Sequence, residues 1–265
     1  MTATQFAPEW LALREGADAA ARSAELLEPL RERLPAGDLV IRDLGCGTGS
    51  MGRWLTARLP GPQHWILTDR DPALLARAAA SLPAPATAAI DERDLTLLSA
   101  ADLDGTSLVT GSALLDLLTA GEVVALASAC TGAGCPALLA LSVVGEVALD
   151  PADPLDEPLR AAFNAHQRRT TGDRRLLGPD SADIATRAFE GLGATVYRRP
   201  SPWQLGPGDT ALIAQWLQGW VSAACEHEPD LTRDAMPYLR RRLSECTAGE
   251  LRATIGHEDL LALPG

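Results

Sequence analysis

Short apolar runs alternate with stretches of helical periodicity through the first 150 residues of the chain. The apolar runs that predict strands lie near residues 39–44, 64–68, 86–90, 107–111 and 137–144. Strands that alternate with helices form a parallel sheet covered on both faces. Ligands of such a sheet bind beyond the carboxyl ends of its strands, so a binding site is expected at that edge.

The two ends of the chain follow other patterns. Apolar residues at helical spacing predict one helix over residues 8–33, ended by Pro35. A segment rich in proline and acidic residues at 150–158 interrupts the alternation and marks an insertion. The elements predicted beyond it are helices at 181–191, 209–227 and 231–247, a strand at 194–199 and an extended run at 252–263.

A glycine-rich turn follows the first predicted strand, in the run Val40-Ile-Arg-Asp-Leu-Gly-Cys-Gly-Thr-Gly49. Glycine permits backbone angles closed to other residues and lets a ligand approach the main chain. The helix that follows offers free N–H groups, which favour a carboxylate or phosphate. Asp69 ends the next strand, where its carboxylate can accept hydrogen bonds from ribose hydroxyls. Turn and acid together predict a site for an adenosine-containing cofactor.

Two cofactors fit this turn. Residues 47–52 match G-x-G-x-x-G, and Asp69 follows at about the 20-residue spacing of dinucleotide sites. The longer run Asp43-Leu-Gly-Cys-Gly-Thr-Gly49 closely resembles motif I of the class I S-adenosylmethionine-dependent methyltransferases. The resemblance covers residues 38–264. It implies S-adenosylmethionine as cofactor, with Asp69 on the ribose and Asp94-Leu95 on the adenine. Asp91 and Glu92 lie close enough to Asp94 to compete for that role.

The resemblance assigns a set of residues to the cofactor. They are Asp43, Gly45, Cys46, Gly47, Gly49, Asp69, Arg70, Asp94, Leu95 and Ser112. It also implies an α/β fold, a Rossmann-like seven-stranded, mostly parallel sheet with helices on both faces and an antiparallel last strand. We expect a single domain over residues 1–265. Its expected parts are an N-terminal helical lid (1–36), the cofactor core (37–149), an insertion near the substrate (150–180), and the rest of the sheet with added helices (181–265).

The chain departs from the family where the acceptor binds. It has no N-P-P-Y or D-P-P-Y after the fourth strand, the motif of members that methylate amino groups of nucleobases. Asp116 stands where many small-molecule members place histidine. We therefore expect a small-molecule acceptor and leave open whether its nucleophile is oxygen, nitrogen or carbon.

The amino-acid composition limits the classes of partner and of chemistry expected for this chain. The net charge of −12 opposes nonspecific binding to nucleic acid, which needs basic surface. All 23 basic residues are arginine, which excludes chemistry that needs a lysine amine. The five cysteines form no C-x-x-C pair, so neither a zinc site nor a disulfide framework is expected. No signal peptide or membrane-spanning run is evident, and the expected location is the cytoplasm.

The predicted N-terminal helix carries Arg14, Asp18 and Arg22 on one face, because they stand four residues apart. The favoured interpretation is an ion-paired stripe that faces water. Alternatively, the helix closes over the cofactor, Arg14 binds the carboxylate of the cofactor, and Trp10 forms part of the same lid.

Other side chains are candidates for the acceptor site. His166, in the polar part of the insertion, is the candidate general base, since a histidine titrates near neutral pH. Trp203 follows the sixth predicted strand and either lines the substrate pocket or packs in the core. His257 is expected to be structural. Trp216 and Trp220 share a helical face that predicts core packing or a homodimer surface.

Two other functions compete with methyl transfer. The G-x-G-x-x-G match at residues 47–52 favours an NAD-dependent oxidoreductase. A protein with this fold can also bind the cofactor, or a partner protein, without catalysis.

Overall fold

The computed structural model describes residues 7–265. Eight strands form the main sheet, seven of them in the order β3-β2-β1-β4-β5-β10-β8, and β9 pairs with β10. Strands β1 to β5 pair in parallel, and β10 runs antiparallel to β5 and β8. The strands of this sheet are β1 (Leu39–Leu44), β2 (Gln63–Asp69), β3 (Thr87–Glu92), β4 (Leu108–Ser112), β5 (Ala137–Asp150), β8 (Thr195–Pro200), β9 (Trp203–Leu205) and β10 (Arg252–Leu263).

Helices cover both faces of the sheet, as expected for parallel strands. A separate two-stranded hairpin, β6 (Thr170–Thr171) with β7 (Arg174–Arg175), lies in the predicted insertion. The α-helices are α1 (Pro8–Ala21), α2 (Leu27–Arg33), α3 (Ser50–Thr56), α4 (Pro72–Ser81), α5 (Ala120–Gly132), α6 (Asp156–Gln167), α7 (Ser181–Gly191), α8 (Thr210–His227) and α9 (Thr232–Thr247). Within residues 7–265, no helix combines the length and apolar character needed to cross a membrane.

The prediction of seven strands was wrong by one. Trp203–Leu205 forms the additional strand β9, which pairs with β10 at Ala253 to Ile255. Strand β8 pairs with the same edge of β10, at residues from Glu258 onward. At 12 residues, β10 is long enough to pair with both. Pro200 ends β8, the Ser201 N–H still donates to the His257 carbonyl at 2.8 Å, and Pro202, which has no backbone N–H, precedes β9.

The prediction of one continuous helix over residues 8–33 was also wrong. Helix α1 ends at Ala21, and a 3₁₀ turn at Ala24–Leu26 leads into α2. The backbone at Arg22 is extended, with φ −54° and ψ 130°. The N–H of Ser23 donates to the carboxylate of Asp259 on β10 at 2.7 Å instead of continuing the helix. A long-range contact therefore breaks a helix that the apolar periodicity predicts.

The core has three parts. The first lies between the sheet and α5 with α7, and includes the fully buried Phe189. The second lies on the opposite face under α2 and α3, where Trp65 is fully buried. The third joins the ends of β5 and β10 to α6, α8 and α9, and it buries Trp220. Trp216 stacks on Trp220 with ring centroids 5.2 Å apart, so this pair packs within the third part.

Backbone strain is present at the carboxyl end of β4 and at the neighbouring level of β5, where Ser112 pairs with Ala140. Ala113, just after β4, has φ +52°, and Leu141, within β5, has φ +57°. Left-handed backbone costs about 1–2 kcal/mol for a residue with a Cβ. Leu141 is held by its N–H, which donates to Asp259 at 2.8 Å. Such strained residues concentrate at functional sites, and these two lie at the edge of the sheet where a ligand is expected.

Candidate functional site

The turn after β1 needs its glycines. Gly45, Gly47 and Gly49 have φ values of +60°, +53° and +86°. A Cβ at Gly49 would lie 3.0 Å from the Cα of Ala78 on α4, tighter than most Cβ contacts in proteins, so the backbone of α4 would have to shift. The Cys46 N–H donates to the carbonyl of Thr68 at 3.1 Å and fixes the turn to β2. The buried Cys46 thiol has a pKa raised by burial, so it stays protonated and packs as an apolar side chain.

Asp69 lies at the end of β2 and accepts three backbone hydrogen bonds. Its Oδ2 accepts from the Gly47 N–H at 2.9 Å. Its Oδ1 accepts from the N–H groups of Arg70 at 2.7 Å and Asp71 at 3.1 Å. The half-buried carboxylate thus joins the glycine turn to the loop after β2. Each carboxylate oxygen has two lone pairs, so both can accept further bonds from ligand hydroxyls.

Asp94 is the more exposed of the two candidate carboxylates in and after β3, with 38% of its side chain exposed against 20% for Asp91. Asp91 is engaged by the guanidinium groups of Arg42 and Arg93. Asp94 accepts from the backbone N–H of Thr96 at 3.0 Å and begins the 3₁₀ turn 95–97. Its partial burial opposes ionisation, but hydrogen bonds from Thr96 outweigh this and lower its pKa.

Two neighbours complete this end of the site. The Arg70 guanidinium lies 3.5 Å from an oxygen of Asp94. Leu95 packs near the glycine turn, with its Cδ2 3.8 Å from the position that a Cβ of Gly45 would take. The structure therefore brings together the ends of β1, β2 and β3 as the sequence predicts.

Asp43 is a buried carboxylate at the end of β1, with 1% of its surface exposed. The Thr110 hydroxyl donates to its Oδ1 at 2.8 Å. Its Oδ2 is also buried and has no partner among residues 7–265. Burial raises the pKa of Asp43 to about 6, although the Thr110 hydrogen bond and the positive charge of Arg22 act against the rise. A buried oxygen without a donor is costly unless a ligand supplies one.

Arg22 is the functional candidate that sequence reasoning missed. Its side chain is buried, and its Nη2 donates to the hydroxyls of Ser50 and Ser112 at 3.0 Å each. It therefore connects α3 to the end of β4. Its Nε is buried and has no partner in the described part of the chain. Burial lowers the pKa of Arg22, and the negative charges of Asp18 and Asp43 oppose this. The only sequence signal was its eight-residue spacing from Arg14.

The expectation of a solvated stripe on α1 was wrong, because that face is turned inward. Asp18 is 4% exposed and accepts from the Trp203 indole N–H at 3.0 Å. Arg14 donates to both oxygens of Asp18, with its Nε 2.9 Å from Oδ2, and lies over the Trp203 ring at 5.0 Å. Trp10 contacts the same ring, with centroids 6.5 Å apart. Leu11 comes within 3.3 Å of the position that a Cβ of Gly47 would take.

The histidines occupy different surroundings. His166 lies near the end of α6, where partial burial and the positive charge of Arg169 lower its pKa. The other charged groups near it are Glu226 and His227 of α8, so the structure places it against α8 rather than beside the glycine turn. His257 is buried on β10, 5.2 Å from the Trp203 ring. Burial lowers its pKa to about 3, in keeping with the structural role expected for it.

A groove of about 670 Å³ lies beside this edge, between the start of α5, the hairpin and α7. Among its lining residues, the Arg174 guanidinium forms an ion pair with Glu122 at 2.7 Å. The same group donates to the carbonyl of Leu117 at 3.1 Å. The groove is lined by the first turn of α5 and by residues 173–177, and none of the glycine-turn residues borders it.

No protein-family model and no curated protein sequence matches the chain. Among solved structures, a methyltransferase from Synechocystis PCC 6803 that acts on magnesium protoporphyrin IX has a TM-score of 0.48 at 12% identity, covering 97% of this chain and 84% of its own. An S-adenosylmethionine-dependent methyltransferase from Geobacter sulfurreducens has a TM-score of 0.47 at 17% identity, covering 99% and 100%. A putative methyltransferase from Bacillus halodurans C-125 has a TM-score of 0.50 at 11% identity, covering 91% and 97%. This last likeness shows that the chain has the Rossmann-like methyltransferase fold.

Proposed function

We propose that this chain is a methyltransferase that binds S-adenosylmethionine at the glycine turn and transfers its methyl group to a small molecule. The observation that carries the proposal is a pair of buried atoms without partners, Oδ2 of Asp43 and Nε of Arg22. The two side chains are close enough for each charge to influence the pKa of the other. A buried carboxylate oxygen and a buried guanidinium nitrogen within range of each other's charge match the ammonium and carboxylate of an amino acid.

This pair favours S-adenosylmethionine over NAD. The amino-acid end of S-adenosylmethionine is a zwitterion, so its ammonium would donate to Asp43 and its carboxylate would accept from Arg22. NAD carries a pyrophosphate and no amino-acid group. A buried Asp43 carboxylate, ionised above a pKa of about 6, would repel that anion.

The adenosine end would lie along the neighbouring strands. In this proposal Asp69 binds the ribose hydroxyls, and Asp94 with Leu95 holds the adenine. Ser112 contributes by orienting Arg22. The remaining cofactor contacts of the proposal come from Gly45, Cys46, Gly47, Gly49 and Arg70.

The bound cofactor would supply a sulfonium methyl group that is already activated for displacement. The chain then needs to orient the acceptor and to exclude water. Helix α1 suits the second task, because Leu11 packs against the glycine turn and Glu15 binds Arg53 of α3 through two hydrogen bonds of 2.6 and 2.7 Å. Orientation alone can supply about 7–11 kcal/mol of rate enhancement in favourable cases.

The acceptor side of the proposal rests on α1 and on residues 150–180. Trp10 would wall the pocket with aromatic surface, whereas Trp203, 3% exposed, packs in the core behind it as the second of its two sequence-based interpretations held. Arg14 already donates to Asp18. His166 would act as base only if α6 moved it toward the turn, so His166→Ala is expected to leave cofactor affinity unchanged. The net charge of −12 supports a metabolite rather than a nucleic acid as acceptor.

Calorimetric titration of the purified chain with S-adenosylmethionine, S-adenosylhomocysteine and NAD in parallel tests the proposal. Micromolar binding of the first two, with none of NAD, is the expected result. Binding of NAD alone would replace the proposal with an oxidoreductase. Binding of the first two without turnover across a panel of amines, phenols and carboxylates would indicate a noncatalytic cofactor-binding protein, and binding of none would refute both.

A further inference from the structure

Asp116 has a carboxylate that follows β4, near the glycine turn, and no other residue within 7–265 is paired with it. It lies in the short turn Leu115–Leu117 that follows β4, and it is half-buried. Within residues 7–265 it forms no ion pair, and only its own backbone N–H donates to it. Two residues before it, Leu114 comes within 3.2 Å of the position that a Cβ of Gly45 would take. Asp116 therefore stands within one turn of a residue that touches the glycine turn.

Two positive charges from different elements act on Asp116. Arg14 comes from α1, and Arg169 comes from the loop after α6. Burial raises the pKa of Asp116 to about 6, and the two arginines limit the rise. On the elements packed around it, Arg187 of α7 and Glu146 of β5 form no ion pair within residues 7–265, and three ion pairs lie nearby. These pairs are Arg174 with Glu122, Arg168 with Asp180, and Arg198 with Asp183.

We propose that Asp116 receives the proton that the acceptor loses on methyl transfer, and that the reacting group of the acceptor is therefore an N–H or O–H. This inference rests on the proposed function. The lone pair of the acceptor nitrogen or oxygen forms a bond to the methyl carbon, and the electrons of the broken C–S bond stay on sulfur. The proton of the acceptor passes to a carboxylate oxygen of Asp116. The positive charge of the sulfonium and the negative charge of the carboxylate disappear together, so charge balances.

Three features of the surroundings of Asp116 suit a group that accepts a proton. The carboxylate is free of hydrogen bonds from other residues, so a ligand can approach it. A group that titrates near neutral pH both accepts and releases a proton readily. Ala113, which leads into the turn, has a strained φ of +52°, as residues that aim a functional side chain often do.

The test is a carboxylate titration followed by ¹³C NMR on the full chain, with aspartate side chains labelled. One sample is saturated with S-adenosylhomocysteine and the other with S-adenosylmethionine. The Asp116 signal is assigned by its loss in Asp116→Asn, or by its loss in Asp116→Glu should the first variant not fold. The two ligands differ by one methyl group and one positive charge, so they report whether that charge lies close to Asp116.

We expect the pKa of Asp116 to be roughly 1 unit lower with S-adenosylmethionine, the effect of a unit charge about 10 Å away at an effective dielectric constant near 20. Asp153, held by Arg241 on α9, serves as internal control and should titrate alike in both samples. Arg169→Gln, at an exposed position, should raise the pKa of Asp116 in both complexes. Equal Asp116 titration in the two complexes would overturn the inference. Failure of S-adenosylhomocysteine to bind would instead overturn the proposed function, and this inference with it.

Discussion

Replacing Arg22 with methionine should weaken binding of S-adenosylhomocysteine and leave binding of 5′-methylthioadenosine almost unchanged. The second compound shares the adenosine and sulfur but has no amino-acid group. Arg22 is buried with a free Nε, and its Nη2 is held by Ser50 and Ser112, so the guanidinium is already oriented. Methionine keeps a similar length and apolar stem but cannot donate a hydrogen bond.

The expected size of the effect follows from the contact that is lost. A hydrogen bond to a charged group contributes about 1.5–3 kcal/mol. The dissociation constant of S-adenosylhomocysteine should therefore rise roughly 10- to 150-fold. The variant also loses its hydrogen bonds to Ser50 and Ser112, which are within the protein and affect stability more than the selectivity between the two ligands.

Isothermal titration calorimetry with both ligands measures this directly, after circular dichroism has shown that the variant is folded. Arg14→Met is the matched control, because Arg14 is the other arginine of the N-terminal segment with a largely buried side chain but already donates to both oxygens of Asp18. Its effect on the ratio of the two affinities should be within about twofold. A loss of affinity for both ligands to the same extent in Arg22→Met would refute the reasoning, and so would a larger selective loss in Arg14→Met.

Three further outcomes are expected. Asp69→Ala should weaken S-adenosylhomocysteine binding by about 1.5–3 kcal/mol in calorimetry, and an unchanged affinity in a folded variant would remove the ribose assignment. Asp43 has its pKa raised from 3.8 to about 6, so the native state binds its proton more tightly and stability falls as pH rises through that interval. Asp43→Asn should therefore gain up to about 3 kcal/mol over the wild type in urea unfolding at pH 8, with little gain at pH 4, while losing cofactor affinity. Gly49→Ala should lower stability by about 1–3 kcal/mol, since φ is +86° and the added Cβ would meet Ala78, whereas Gly16→Ala, open on α1, should not destabilise. Equal stabilities of the two alanine variants would contradict this.

Much of the fold was predictable because it depends on local pattern. The five parallel strands and α7 to α9 lie within a few residues of their predicted positions, since periodicity reports which face of an element is buried. Strand β5 continues to Asp150, past its predicted end, because β10 pairs with it along that length. The break after α1 and the strand β9 were not predictable, because both depend on contacts with β10, more than 45 residues away in the chain.

The sequence by itself determined the position of the glycine turn. Gly45, Gly47 and Gly49 all have positive φ, and Asp69 closes the turn by accepting from Gly47. These features belong to one strand, one turn and the end of the next strand, so their spacing along the chain is enough to recognise them.

Only the tertiary structure decided which charged side chains have partners. In the predicted N-terminal helix, Arg14 and Arg22 share one face and look equivalent. In the structure Arg14 donates to Asp18 and lies over the Trp203 ring, whereas Arg22 is buried with its Nε unpartnered within residues 7–265. Asp116 is likewise distinguished because it forms no ion pair within residues 7–265, whereas Glu122 in the next helix is paired with Arg174. The electrostatic state of a group depends on what folding brings within a few ångströms, and one sequence without its fold does not contain those distances.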